Sequence, residues 1–149
     1  MYIPESTYKN ITTYLPILCV DLLILHAGKC LLLRRANRPA FGQFWFPGGR
    51  VHKLEMLRDA ATRIAKEETG LNCVFTQIVT IEETIFPKDE ETKTDKHTVN
   101  ICCMMQLISS HELILLDKFH DSFEWISCIR PDLHLHEAVR RPLSLVGFS

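Results

Sequence analysis

No long apolar run, no Cys-x-x-Cys pair and no excess of one charge sign occurs in this sequence, and each absence excludes a class of protein. The most apolar stretch, residues 14–33, is interrupted by Asp21, His26, Gly28 and Lys29. A membrane-spanning helix needs about 20 consecutive apolar residues, so this stretch predicts neither a span nor a signal peptide. We therefore expect a cytoplasmic protein that does not associate with membranes.

The charges of the chain nearly cancel. Seventeen Lys and Arg residues stand against 18 Asp and Glu residues, which gives a net charge of −1. Such a chain has no general attraction for nucleic acid or for anionic lipid. Nucleic acid is therefore not an expected partner, and any binding of phosphate must come from local clusters of side chains.

The six cysteines do not have the spacing of a metal site or a redox pair. Most of them lie in apolar segments, which is typical of buried free thiols in a reducing compartment. Cys102 and Cys103 are adjacent, and neighbouring side chains of a strand point to opposite faces of the sheet. A joint metal site at this pair is therefore not expected.

The chain of 149 residues, with 46% hydrophobic and 23% charged residues, predicts one globular domain over 1–149. Strand-like segments alternate with one firmly periodic helix and a helical C-terminal segment, so we predict an α/β sandwich with a mixed sheet. The predicted elements begin with a leading helix or arm over 1–13 and a helix that starts at Leu57 and stops just before Gly70. Strands are predicted over 17–25, 30–34, 44–46, 97–108, 112–116 and 124–129, and one or two strands over 73–86. One or two helices are predicted over 131–146, broken or kinked at Pro142.

The predicted central helix carries carboxylates where its own dipole does not favour them. Its apolar residues, at positions 57, 60, 61, 64 and 65, form one stripe, and Gly70 is a natural stop. Glu67 and Glu68 lie at the C-terminal end, where the helix dipole is negative. A divalent cation such as Mg²⁺ would stabilise them, because Mg²⁺ prefers oxygen ligands. The sequence therefore predicts a metal site beside the turn at Gly48-Gly49.

The spacing of these residues resembles the signature of the Nudix hydrolase superfamily. Gly49, Glu55, Arg63, the pair Glu67-Glu68 and the pair Gly70-Leu71 occupy its fixed positions. The resemblance implies a Nudix-type α/β/α sandwich with a mixed sheet, a loop–helix–loop motif and dependence on Mg²⁺ or Mn²⁺. Within the superfamily the chain is most similar to the GDP-mannose mannosyl hydrolase family, over roughly residues 15–141. Segments outside the motif share that similarity: Asn37-Arg38-Pro39-Ala40, residues 46–51, and Leu116-Asp117, His120-Asp121 and Trp125.

One position of the signature departs from the common pattern. Ile64 stands where ordinary members have a glutamate that assists metal and water activation. The mannosyl hydrolases also have an apolar residue there. The resemblance implies that they hold Mg²⁺ through a glycine carbonyl and the last glutamate of the motif, which correspond to Gly48 and Glu68. Glu67 is a further candidate ligand.

The resemblance also implies a reaction at carbon rather than at phosphorus. Water attacks the sugar C1 of a nucleoside-diphosphate sugar, with a histidine as base that corresponds to His120. Arg35 and Arg50 stabilise the departing diphosphate, and guanidinium groups suit that task because they bind phosphate oxygens in pairs. Arg38 is predicted to bind substrate with them, and Asp21 matches an aspartate near the sugar. Relatives are often dimers, so a homodimer is a further expectation.

Three residues differ from the family pattern at the site. Phe119 replaces a metal-ligating glutamine just before His120, Phe86 replaces a histidine, and Thr98 stands where a substrate-contacting tyrosine is found. Neighbouring His97 is a candidate to compensate for these changes. The differences bear on the metal ligands and on the identity of the sugar.

Two other functions remain open at this point. A nucleotide pyrophosphatase of the same fold would attack phosphorus, and Glu67, Glu82 or Glu83 would then replace the missing carboxylate. A nucleotide-binding module without catalysis is the other alternative, and Ile64 and Phe119 support it.

Overall fold

A mixed sheet of seven strands lies between helices on its two faces in the computed structural model, which describes residues 2–149. The α/β sandwich predicted from the sequence is therefore confirmed. The elements are α1 (Glu5–Tyr14), β1 (Ile17–His26), β2 (Lys29–Arg35), β3 (Phe44–Trp45), β4 (Gly48–Arg50), α2 (Leu57–Thr69), β5 (Cys73–Phe86), β6 (Lys96–Leu107), β7 (His120–Ile126), a 3₁₀ turn (Pro131–Leu133) and α3 (Glu137–Leu145).

The order of strands along the sheet is β3-β2-β1-β6-β5, with β4 paired to β1 and β7 paired to β2. Strands β1 and β6 run parallel over Ile17 to Leu25, and every other pairing is antiparallel. The sheet is mixed for this reason.

Alternation along the central strands divides the apolar residues between two cores. Val20 and Leu22 of β1 pack against α2, whereas Leu23 packs against α3. Cys103 belongs to the first core and Cys102 to the second, as the adjacent strand positions predicted. All six cysteines are free, with Cys19 half-buried and Cys128 exposed.

Strand β1 changes partners along its length, and this change creates the candidate site. Near its end, Leu25 and His26 pair with β2. Closer to its start, Cys19, Val20 and Asp21 pair with β4 instead. The glycine turn is thus held against the middle of the central strand, where it can meet the C-terminal end of α2.

The central helix matches its prediction closely. It begins at Leu57, buries Ala60, Ala61, Ile64 and Ala65, and ends at Gly70, whose φ of 73° is the left-handed conformation of a helix C-cap. The apolar stripe of the sequence is therefore the buried face of α2.

Two predictions about the C-terminal third are wrong. Residues 112–116 form no strand, because their backbone is bound to the end of α2: Leu115 N donates to Thr69 O at 2.8 Å. Strand β7 begins at His120, four residues before the predicted start, since its pairing with β2 extends that far. The break predicted as one alternative at Pro142 does not occur, because Pro142 lies buried inside α3.

Within residues 2–149, no helix has the combined length and apolar character that crossing a membrane requires.

Candidate active site

A cleft of about 240 Å³ opens where β4 lies against β1. One wall carries the glycine turn and two arginines, and the opposite wall carries polar residues of β5 and β6. The residues of the first wall are Asp21, Arg35, Trp45, Phe46, Gly48, Gly49 and Arg50; those of the second are Thr84, Phe86, Lys96, Thr98 and Asn100; Tyr8, Ile17, Cys19, Pro39 and Ala40 complete the lining.

The glycine turn and the end of α2 meet through a hydrogen bond. The backbone N–H of Gly48 donates to Oε2 of Glu68 at 2.9 Å. Gly48 is also the register partner of Asp21 in the β1–β4 ladder. The structure therefore brings together Gly48, Glu68 and Asp21, three of the residues that the sequence singled out.

A side chain at Gly48 has no room, so Gly48→Ala is expected to destabilise the protein by roughly 1–3 kcal/mol. An added Cβ would collide with the Asp21 carboxylate and lie 2.8 Å from the Val20 carbonyl oxygen. At Gly49 the nearest atom would be the flexible end of Ile64 at 3.3 Å, so Gly49→Ala is the matched control. Urea unfolding of both variants measures the difference, and equal losses of stability would contradict the tight approach at Gly48.

Glu68 is a partly buried carboxylate in a negative environment. Burial raises its pKa to about 8, and the neighbouring carboxylates Asp117 and Asp21 act in the same direction. The Gly48 N–H and the Arg35 guanidinium oppose this rise. The positive groups of the protein near Glu68 therefore do not balance the negative charge of the carboxylates around it.

This surplus of negative oxygen ligands fits a divalent cation. Mg²⁺ is commonly held by one or two protein carboxylates with substrate phosphates and water completing its shell. Glu68 and the Gly48 carbonyl could therefore hold it, although no group of three or more His, Cys, Asp or Glu side chains with metal-site geometry occurs among residues 2–149. Glu67 is 59% exposed and accepts a hydrogen bond from Arg63 at 3.0 Å, so it lies at the outer side of this site.

Arg63 fixes the loop between β4 and α2. Its Nε and Nη2 donate to the two carboxylate oxygens of Glu55 at 2.7 and 2.9 Å, and Nη2 also donates to the Arg50 carbonyl at 3.1 Å. The bond to Arg63 lowers the pKa of Glu55 to about 2. These two motif residues therefore hold the backbone beside Arg50 and do not enter the cleft.

Ile64, the departure from the signature, is a core residue with 2% exposure. It packs in the cluster between α2 and the sheet, next to Gly49. Replacing it by glutamate would bury a charge without a partner, so we expect Ile64→Glu to destabilise the protein by about 3–5 kcal/mol.

Ile64→Leu is the matched control and should cost less than about 1.5 kcal/mol, because it conserves volume and polarity. Chemical denaturation compares the two variants. An Ile64→Glu protein as stable as the wild type would show that this position reaches solvent or a cation.

Asp21 ends a row of hydrogen bonds that runs from the wall of β5 and β6 to the central strand β1. Asn100 Nδ2 donates to its Oδ2 at 3.0 Å, Thr98 donates to Asn100 Oδ1 at 2.5 Å, and Thr84 lies 2.6 Å from Thr98. Because the one hydroxyl proton of Thr98 is used, Thr84 must donate to it. Burial raises the pKa of Asp21 to about 6, against the bonds from Asn100 and Trp45. The row fixes the orientation of this carboxylate.

The three predicted arginines take different places. Arg35 and Arg50 both line the cleft, and Arg50 lies over the Tyr8 ring, 5.4 Å from its centroid. Arg38 is not among the lining residues. It pairs with Asp89 at 3.2 Å and Glu91 at 2.6 Å, and so joins the loop before β3 to the β5–β6 hairpin.

His120 is the first residue of β7 and the register partner of Arg35, which lines the cleft, but His120 itself is not among the lining residues. Its ring is 5% exposed, and its Nδ1 is 2.7 Å from Asp117 Oδ1. Asp117 also raises the pKa of Glu68, so the His120–Asp117 pair is electrostatically close to the Glu68 carboxylate. A histidine oriented by a carboxylate has the arrangement of a general base.

Of the three carboxylates proposed to replace the missing glutamate, Glu82 and Glu83 lie outside the cleft. Glu82 is buried and pairs with Arg141 of α3 at 2.7 Å. Glu83 is exposed and pairs with His97. Neither carboxylate lines the cleft. Thr98 and Phe86, two residues that differ from the family pattern, do line it.

Sequence reasoning singled out Thr98 but missed the lining residues Lys96, Asn100 and Tyr8. Lys96, Thr98 and Asn100 face the cleft together because alternate residues of β6 share a face. The alternation along β6 can be inferred from the sequence, but the sequence does not show which face of the strand lines the cleft. Tyr8 reaches the cleft from α1, and no local signal indicated it.

Comparison with known proteins identifies relatives of the chain. The family model described as NUDIX domain matches residues 16–144. Low-salt glycan biosynthesis protein Agl8 of Haloferax volcanii is 38% identical over 96 residues, which are 64% of this chain and 62% of that protein. An ADP-ribose pyrophosphatase of Methanocaldococcus jannaschii is 41% identical over 70 residues, 46% of this chain and 41% of that protein. The matches span less than two thirds of these curated relatives.

Solved structures share the fold. A NUDIX hydrolase from Nitrosomonas europaea superposes with a TM-score of 0.70 at 19% identity, covering 89% of this chain and 88% of the other. A MutT protein from Methanosarcina mazei Go1 gives a TM-score of 0.60 at 26% identity, with 76% and 79% coverage.

Proposed function

The chain belongs to the NUDIX domain family of hydrolases, and we propose that it is a divalent-metal-dependent hydrolase of nucleoside-diphosphate sugars that directs water to the sugar C1. Ile64 is the observation that carries this proposal. At position 64 this chain has a buried apolar side chain, whereas ordinary members have a carboxylate that assists attack at phosphorus. The base must then come from another element, and the His120–Asp117 pair is beside Glu68.

His120 would act as the base. With Nδ1–H donated to Asp117, the Nε2 atom is free to accept a proton from water. The water oxygen forms a bond to C1 while the bond from C1 to the phosphate oxygen breaks. The electron pair of that bond leaves with the nucleoside diphosphate.

Arg35 and Arg50 would bind the departing diphosphate. Both line the cleft on the wall of the glycine turn. A divalent cation at Gly48 and Glu68, when bound, would neutralise further charge on the phosphate oxygens. The carboxylate of Asp21, which Asn100 orients, would face the sugar.

A second candidate is pyrophosphatase activity, with attack at phosphorus. The relative from Methanocaldococcus jannaschii, which is named an ADP-ribose pyrophosphatase, favours it. Either reaction uses a nucleotide substrate. We further propose a cytoplasmic location, in keeping with six free thiols.

Hydrolysis in ¹⁸O-labelled water separates the candidates. The protein is incubated with Mg²⁺ and a panel that contains GDP-mannose, UDP-glucose and ADP-ribose. Label in the released sugar supports attack at C1, whereas label in a phosphate product supports the pyrophosphatase. Nucleotide binding without turnover would contradict both and favour a binding module.

A further inference from the structure

Lys96 is a cation of the cleft that neither the family signature nor the proposed reaction uses. It is the first residue of β6 and the register partner of Phe86. With Thr98 and Asn100 it forms one row on the cleft face, on the wall opposite the glycine turn. Arg35 and Arg50 lie on the other wall, so the cleft presents positive charge from two sides.

The ammonium of Lys96 has no acidic partner in the protein. Among residues 2–149, no carboxylate oxygen lies within 4.0 Å of it. The side chain is half-buried, and both burial and the Arg35 guanidinium lower its pKa. A half-buried charge that faces a like charge is unfavourable in the folded protein.

Acidic residues of the adjacent hairpin are engaged elsewhere. Asp95, next to Lys96 in the chain, accepts a hydrogen bond from Lys88 N at 2.6 Å. Asp89 and Glu91 both pair with Arg38. Three of the four carboxylates of this loop are therefore engaged elsewhere, and none of the four, Glu90 included, pairs with Lys96.

We propose that Lys96 binds an anionic oxygen of the substrate from the wall opposite Arg50. This inference deepens the proposed function and rests on it. The oxygen belongs to a phosphate of the diphosphate or to a carboxylate on the transferred sugar. A compact ammonium suits a single charged oxygen, and Thr84 and Thr98 place polar groups along the same wall.

Binding measurements on Lys96→Met test the proposal. Dissociation constants for GDP-mannose, UDP-glucose and UDP-glucuronic acid are measured by calorimetry in the presence of Mg²⁺. We expect binding of at least one probe to weaken by about ten- to a hundredfold, the effect of losing one hydrogen bond to a charged group. Lys96→Arg should retain most of the affinity. Lys88→Met is the matched control. Lys88 is exposed on the same hairpin, and its substitution removes the same charge as Lys96→Met.

The pattern across the probes identifies the source of the oxygen. Equal weakening for all three probes assigns Lys96 to the diphosphate, and weakening confined to UDP-glucuronic acid assigns it to the sugar carboxylate. The thermal midpoint of ligand-free Lys96→Met should not fall, since the lost charge was unfavourable.

Unchanged affinity for every probe overturns the proposal, as does an equal loss in Lys88→Met or a wild-type protein that binds none of the probes. Hydrolysis is measured separately. Lys96-dependent binding without turnover would therefore overturn the proposed reaction and leave the binding role of Lys96 intact.

Discussion

Replacement of His120 by alanine is expected to lower kcat by about 10²–10⁴-fold, the range for loss of a general base. The structure holds the ring of His120 against Asp117 at 2.7 Å and places this pair in the field of Glu68. Steady-state kinetics with the preferred nucleoside-diphosphate sugar measures the effect. Because the ring is buried, His120→Gln serves as a second variant that retains a polar side chain without a basic nitrogen.

His97→Ala is the matched control for this prediction. His97 lies on the opposite face of the sheet from the cleft row and pairs with the exposed Glu83. Its loss should leave kcat within about twofold, as for a surface substitution. Asp117→Asn is expected to give an intermediate loss, since it removes the group that orients His120. Folded His120→Ala and His120→Gln proteins with full activity would show that another residue is the base.

Glu68→Gln is expected to reduce kcat/KM by about 10²–10³-fold, the loss typical of removing one electrostatic contact to developing charge. The amide oxygen can still accept the Gly48 N–H, so the local fold should persist. What disappears is the negative charge that a cation requires. A ligand that binds only the folded state raises the thermal midpoint of a protein. We therefore expect Mg²⁺ to raise the midpoint of the wild type but not that of Glu68→Gln.

The same substitution should stabilise the metal-free protein. Burial of Glu68 near Asp21 and Asp117 raises its pKa, which means that its charged form is unfavourable without a cation. A neutral glutamine removes that cost, so the metal-free midpoint should rise while activity falls.

Glu67→Gln is the control for Glu68→Gln. Its carboxylate is exposed and bound to Arg63, so we expect a smaller effect on activity. If Glu67→Gln abolished the response to Mg²⁺ and Glu68→Gln did not, the assignment of the inner ligand would be reversed.

Local patterns in the sequence predicted the central helix and most strands. The apolar stripe of α2 is its buried face, and Gly70 ends the helix as expected. Such features depend on residues close in the chain, so a local pattern contains the information. The strand predicted over 112–116 is absent because this segment is held by a residue far away in the chain. Its backbone pairs with Thr69 and not with a strand.

Charge partners could not be predicted in the same way. Arg38, which is predicted to bind substrate, joins two loops through Asp89 and Glu91, residues about 50 positions away. Lys96 lines the cleft, although no motif of the sequence singles it out. The position of each cation depends on which strands are neighbours, and the sequence does not state that.

The sequence by itself determined the family, the mixed α/β architecture and the candidate residues from Gly48 to Glu68. Fixed spacing is sufficient for these because one turn and one helix set their geometry. Only the tertiary structure decided that Asp117 holds His120 and that Lys96 and Arg35 line the same cleft. Burial and electrostatic fields arise from contacts between distant segments, and these exist only once the sheet has brought β1, β4 and β6 together.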